Sequence, residues 1–293
     1  MITLKSKRLE IGINEAGEGN NRKFRFDRSA FISSIVLDGK HQFCAREPEQ
    51  QRQPSTGGEG LCSEIQCNEI VSGFALGERY PKFGVGLILK QDEEGYIFHR
   101  EYDCQFFDLE IEAKESEAVL LTRPRTSRGY ALEGKKTLSL EDNKLSIVHH
   151  YINRGDKALD LTEYNHNFVS LAGEMAGPQM EINFPLAASL EGKGPRREGQ
   201  ILCGTERGFG FSGQSSRASM IDAEAEEIDP SRPFSWTLKS SASGLWISEG
   251  VSFRPDRMTI WTIGDIVSPE VFHRFSLASG EEITYSREWT FGS

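Results

Sequence analysis

Residues 144–171 read KLSIVHHYINRGDKALDLTEYNHNFVSL, and their periodicity decides the fold class. Leu145, Ile147, His149 and Tyr151 fall on one face, with Ser146, Val148, His150 and Ile152 on the other, which is the two-residue period of a strand. Arg154-Gly155-Asp156-Lys157 are turn formers, and an extended pattern resumes at Ala158. This local chemistry predicts a hairpin. Similar runs lie on both sides: GGEGLCSEIQ (57–66), CQFFDLEIEAK (104–114), AVLLTRP (118–124), GLWISEG (244–250), MTIWTIGDIV (258–267) and EEITYSREWTF (281–291). Gly, Pro, Asn, Asp or Ser separates them at intervals of about 8–14 residues, the pattern of a sandwich or barrel. The one short helical candidate is MIDAEAEEI (220–228). Two polar stretches, 46–59 and 190–200, read as exposed loops, and neither divides chain segments of different composition. The expectation is an all-β chain forming one domain over residues 1–293.

The 293 residues are 37% hydrophobic and 27% charged, enough to bury a core without disulfide or metal staples. A net charge of −10 argues against nucleic acid or an anionic membrane as partner, and leaves neutral ligands open. No stretch approaches the roughly 18 apolar residues of a spanning helix, and the alternating N-terminus does not read as a signal peptide. Five cysteines at irregular spacing, with no second pair following Cys62 and Cys67, predict thiols in a reducing cytoplasm and no metal site. His149 and His150, adjacent on a strand, point to opposite faces and cannot chelate one ion together.

The sharpest local feature is a histidine between two asparagines, Asn165-His166-Asn167. An imidazole titrates close to neutral pH and suits proton transfer, while neighbouring amides can hold hydroxyl groups or fix the ring tautomer. The same spacing also fits a histidine satisfied inside a sheet. Among the tryptophans (Trp236, Trp246, Trp261 and Trp289), any one not needed in the core is a candidate to stack on a sugar face. The run Pro195-Arg196-Arg197 is a candidate contact for a sugar phosphate, set against an ordinary solvated loop.

Asn165-His166, followed by Phe168 and ending in Leu171, resembles the Asn-His-x-[Tyr/Phe]-[Phe/Trp]-x-Leu segment of the galactose mutarotase (aldose 1-epimerase) superfamily. Three further landmarks are similar and come in the family's order. They are the opening hairpin RFDRSAFISSIVLDGKHQF (25–43), Met258-Thr259-Ile260-Trp261-Thr262 with Ser268-Pro269-Glu270, and Leu277-Ala278-Ser279-Gly280-Glu281. The resemblance implies a large antiparallel β-sandwich, the galactose mutarotase-like supersandwich, with an open groove for a small carbohydrate. It implies Glu270 as general base on the C1 hydroxyl and His166 as general acid on the ring oxygen, with no cofactor. Asn165, His99, Arg100, Glu64 and Trp261 are the candidate substrate contacts. The family's His-Gly-Gly segment and Asn-Arg pair find no match in the first third, where Arg25-Phe26-Asp27-Arg28 and, further on, Phe98-His99-Arg100-Glu101 are the nearest polar clusters. That departure keeps two alternatives open: a carbohydrate-binding or regulatory module, and a polysaccharide lyase-like activity.

Overall fold

In the computed structural model, which describes residues 1–48 and 56–293, the strand Lys144–Asn153 pairs with Leu132–Glu141 before it and with Glu282–Gly292. The true hairpin therefore lies one connection earlier than the sequence suggests. Its two-residue turn is Asp142-Asn143, with Asp142 at a φ of 51°, the left-handed geometry such turns require. The RGDK segment instead carries the chain across to another sheet, where Leu159–Phe168 pairs with Gly60–Ile65 and Ile266–Leu277. Asn153 shapes this crossing. Its Nδ2 donates to the carbonyls of Lys157 and Leu277, and its Oδ1 accepts from Gly155 N–H at 2.9 Å. A hairpin would place the two strands side by side, whereas the crossing turns Tyr151, Leu159 and Leu161 into one apolar cluster between layers.

Among the described residues there are two large antiparallel sheets and a small third one. The first has nine strands, running from Ile2–Lys5 at one edge, through Gly60–Ile65, Leu159–Phe168, Ile266–Leu277 and Arg257–Ile263, to Ser219–Glu224. The second has ten, with Lys144–Asn153 and Glu282–Gly292 near its middle. A cluster including Ile11, Ile35, Ile147, Trp236, Ile260 and Trp289 draws on both and is the apolar filling of a sandwich. The three-stranded sheet comprises Arg79–Lys82, Gly86–Leu89 and Cys104–Phe106.

The opening hairpin is present, with Phe31–Leu37 turning at Asp38-Gly39 into His41–Gln42. The helix anticipated at 220–228 is not. Ser219–Glu224 is a strand, because Ile221 and Ala223 alternate into the core, and only Ala225–Glu227 makes a helical turn. The stretch 46–59 lies partly outside the described residues, and its described flanks are not uniformly exposed: Glu47, Thr56, Gly57 and Gly58 are buried. No helix among the described residues is long and apolar enough to cross a membrane.

Candidate active site

Alternate residues of five neighbouring strands lay out a cleft on the outer face of the nine-stranded sheet. On Leu159–Phe168 the residues Glu163 and Asn167 reach inward to side chains of the other sheet, so Tyr164, His166 and Phe168 point outward. Glu64 stands opposite Tyr164, and Cys62 opposite His166. On the other side come Ser268, Glu270 and Phe272, paired in turn with Trp261, Thr259 and Arg257. Met220 follows beside Trp261. The cleft holds about 350 Å³ and is also bordered by Arg25, Phe98 and Arg196 from loops.

His166 and Glu270 meet where two strands part. Leu159–Phe168 and Ile266–Leu277 are in register from Leu159 opposite Leu277 to Tyr164 opposite Phe272, and they bridge again at Val169–Val267. In between, the Asn167 side-chain amide donates to the Pro269 carbonyl at 2.6 Å, in place of a backbone N–H. Across this gap His166 Nε2 lies 3.2 Å from Glu270 Oε1. His166 Nδ1 is 2.8 Å from Ser268 Oγ, and Ser268 donates to Glu270 Oε1 at 3.3 Å. A hydroxyl has one proton to give. With that proton on Glu270, Nδ1–H donates to Ser268, and Nε2 is left to accept a proton from the Glu270 carboxyl.

The electrostatics agree with this assignment. Burial pushes the Glu270 carboxyl up to about 8, and the Arg25 charge and the Ser268 hydrogen bond offset it only in part. Burial, reinforced by Arg25, holds His166 well below the usual histidine value. The pair thus keeps a single titrating proton through neutral pH, and titrates as a unit. Phe168 stacks on the imidazole at 3.9 Å between ring centres, and Trp261 meets it edge-on at 5.7 Å. Gly58 permits this stack: a Cβ there would come within 2.0 Å of the Phe168 ring.

Arg25 is held beside the pair. Its Nε donates to Glu64 Oε2 at 2.8 Å and its Nη2 to the Tyr164 hydroxyl at 2.8 Å, while Tyr164 itself donates to Glu64 at 2.6 Å. Buried Lys82 reaches the other Glu64 oxygen at 2.8 Å. Burial opposes ionisation of Glu64, but the Lys82 and Arg25 charges outweigh it and draw the carboxyl down to about 2. A fixed carboxylate therefore holds a fixed guanidinium at the cleft wall.

The structure brings His166 together with Trp261 and Glu270, which lie more than ninety positions further along the chain. Other anticipated contacts lie elsewhere. Asn165 points inward by the strand's own alternation and donates to Asn167 Oδ1 at 2.6 Å. The two asparagines hold each other and the backbone, and the imidazole is oriented by Ser268. Glu64 sits behind Arg25, lining an adjoining hollow. His99 does not border the cleft; its neighbour Phe98 does, and the His99 ring packs edge-on against it. Arg100 is occupied by Asp92 at 2.6 Å and by Glu94. Asn21-Arg22 does form an Asn-Arg dipeptide, but Asn21 is buried and donates to the Asn14 and Arg28 carbonyls while Arg22 is exposed. Arg25, Tyr164, Arg257 and Phe272 are cleft residues absent from the sequence-derived set. A period of two counted from His166, Trp261 and Glu270 reaches the last three. No cluster of three or more His, Cys, Asp or Glu disposed to hold a metal occurs among the described residues.

This architecture is shared with solved structures along the whole chain. A galactose mutarotase-like protein from Lactobacillus casei ATCC 334 superposes with a TM-score of 0.61 over 100% of both chains, at 14% identity. The fold is galactose mutarotase-like. A galactose mutarotase related enzyme from Lactobacillus acidophilus has the mutarotase-like fold with a TM-score of 0.60, covering 100% of this chain and 97% of that one, at 12% identity. A GalM/aldose epimerase homologue from C. elegans gives 0.52 over 99% and 98%, at 10% identity. No protein-family profile and no curated protein matches the chain. At such identities the mutarotase-like likeness concerns the backbone, and the chemistry must be argued from the cleft.

Proposed function

We propose that the protein is a sugar epimerase acting at the anomeric centre, with Glu270 and His166 as its acid–base pair. The 3.2 Å contact between His166 Nε2 and Glu270 Oε1, on the floor of a sugar-sized cleft, carries this reading. Interconverting anomers requires removing a proton from the C1 hydroxyl and adding one to the ring oxygen, then reversing both steps after rotation about C1–C2. The pair holds one proton and conserves it. Transfer from Glu270 to Nε2 along their contact yields a carboxylate and an imidazolium. The carboxylate then takes the hydroxyl proton while the imidazolium protonates the ring oxygen. Reclosure on the opposite face returns both protons. Each positioned group contributes about 10²–10⁴-fold in such transfers. Trp261 offers its face to the pyranose, and Arg25 presents fixed donors to its hydroxyls.

The test is anomer exchange in freshly dissolved aldoses, followed by polarimetry as a function of pH. Because Glu270 keeps its proton up to about 8, kcat/KM should fall as pH rises through that value and the pair loses its only proton. Because His166 resists protonation, the acid limb should lie well below the ordinary histidine range. An acid limb at the normal histidine value contradicts this assignment. Sugar binding without any exchange would make the chain a carbohydrate-binding module instead.

Ser268→Ala separates the orienting role from the chemical one. Losing the hydroxyl frees the imidazole's orientation and should lower kcat about tenfold. The Ser268 hydrogen bond draws the Glu270 carboxyl down, so its removal should also move the alkaline limb to higher pH. A fall in kcat with an unmoved limb would mean that Ser268 serves packing only.

A further inference from the structure

Although the chain carries a net charge of −10, three arginines line its cleft, two of them paired: Arg25 with Glu64 and Arg196 with Asp222. Arg25, Arg196 and Arg257 border the cleft, against the carboxyls of Glu47 and Glu270. Burial keeps Glu270 protonated at neutral pH. Arg196 comes from the loop 190–200, whose backbone is pinned where Arg196 N–H donates to the Met220 carbonyl at 2.7 Å. Its guanidinium grips Asp222, which also accepts from Thr259 at 2.6 Å, so the group is aimed and not free to swing. Arg257 is different. It lies half-buried over the Phe272 ring at 4.1 Å, its Nε has no hydrogen-bond partner, and among the described residues it forms no ion pair. A neutral pyranose needs hydroxyl partners, and does not call for a half-buried cation without an ion-pair partner.

We propose that the sugar bears an anionic substituent, a phosphate ester or a carboxylate, which Arg257 and Arg196 receive while the anomeric carbon lies at His166 and Glu270. A guanidinium held on an aromatic face presents its N–H edge as a planar fork, the geometry that matches phosphate or carboxylate oxygens. The chain's net negative charge repels anions in general, so an arginine in the cleft that forms no ion pair supplies selectivity as well as affinity. This inference rests on the epimerase reading for the position of the sugar ring, and on the arginines for the anion.

The experiment uses matched sugars: glucose with glucose 6-phosphate and glucuronate, and the corresponding galactose set. Binding is read by calorimetry and anomer exchange by nuclear magnetic resonance. At least one anionic member of a set should bind about tenfold or more tightly than its neutral parent, with the margin shrinking as salt is raised. Arg257→Gln should reduce the anionic-to-neutral ratio by about tenfold, and Arg257→Lys should restore part of it. Whether phosphate or carboxylate gains more identifies the substituent. Neutral sugars binding as well as every anionic partner, or a ratio unchanged in Arg257→Gln, would overturn the inference. An Arg257-dependent preference without exchange upholds the anion site and removes the epimerase reading. Exchange without preference does the reverse.

Discussion

Glu270→Gln is expected to lower kcat for anomer exchange by about 10³-fold while making the protein more stable at alkaline pH. Glutamine keeps the shape and can still meet Ser268 and His166, but it neither takes nor gives the proton. The stability gain follows from burial. Glu270 binds its proton more tightly in the folded protein than in the unfolded chain, whose ordinary value is 4.5. Its burial is therefore free of an ionisation penalty below that value, and the penalty grows as pH rises towards about 8. Removing it should gain roughly 4–5 kcal/mol at pH 9 and little at pH 4. Calorimetric Tm values for both proteins at the two pH values check this. An equal difference at both would mean that Glu270 is ionised without strain, and the one-proton account would fail.

Arg287→Met is expected to destabilise the fold by about 3–5 kcal/mol. Arg287 is wholly buried between the sheets, donating to Glu249 at 2.8 Å, Glu163 at 2.7 Å and the Val271 carbonyl at 2.9 Å. Glu249 in turn receives Trp236 at 2.7 Å and Asn167 at 3.2 Å. One cation thus answers two interior carboxylates, and its loss leaves both without a counter-charge. The same network reaches Asn167 and Val271, which adjoin His166 and Glu270 in the chain, so it braces the cleft floor from behind. Urea denaturation measures the effect. Replacing Glu163 and Glu249 by glutamine together with Arg287→Met should recover much of the loss, because the penalty belongs to unpaired charge. A change under about 1 kcal/mol for Arg287→Met alone would show that the interior hydrates or rearranges.

Strand period is the part of this fold most legible in the sequence, because one row of each strand must be apolar. Leu145, Ile147 and Tyr151 announce theirs plainly. Pairing is less legible, since a turn such as RGDK has the same composition whether it closes a hairpin or crosses between sheets. Asn153, which ties that crossing to Leu277, acts through a contact 124 positions away. The asparagines beside His166 mislead for a related reason: alternation sends them inward, where Asn165 donates to Asn167 and the Asn167 amide serves Pro269 and Glu249. Had the period of two been carried through the site, Tyr164 would have stood with His166, Arg257 with Trp261, and Phe272 with Glu270. Arg25 and Arg196 come from loops, and their places depend on Glu64 and Asp222, partners that no local pattern connects to them.

Exchange spectroscopy on an equilibrated aldose is the most direct measurement of whether an imidazole and a carboxyl sharing one proton open the sugar ring. With the wild-type protein, cross-peaks should link the two anomeric protons of at least one neutral or anionic sugar well above the buffer rate, and they should vanish in Glu270→Gln. Cross-peaks no stronger than in buffer for every sugar, or undiminished in that variant, would contradict the account.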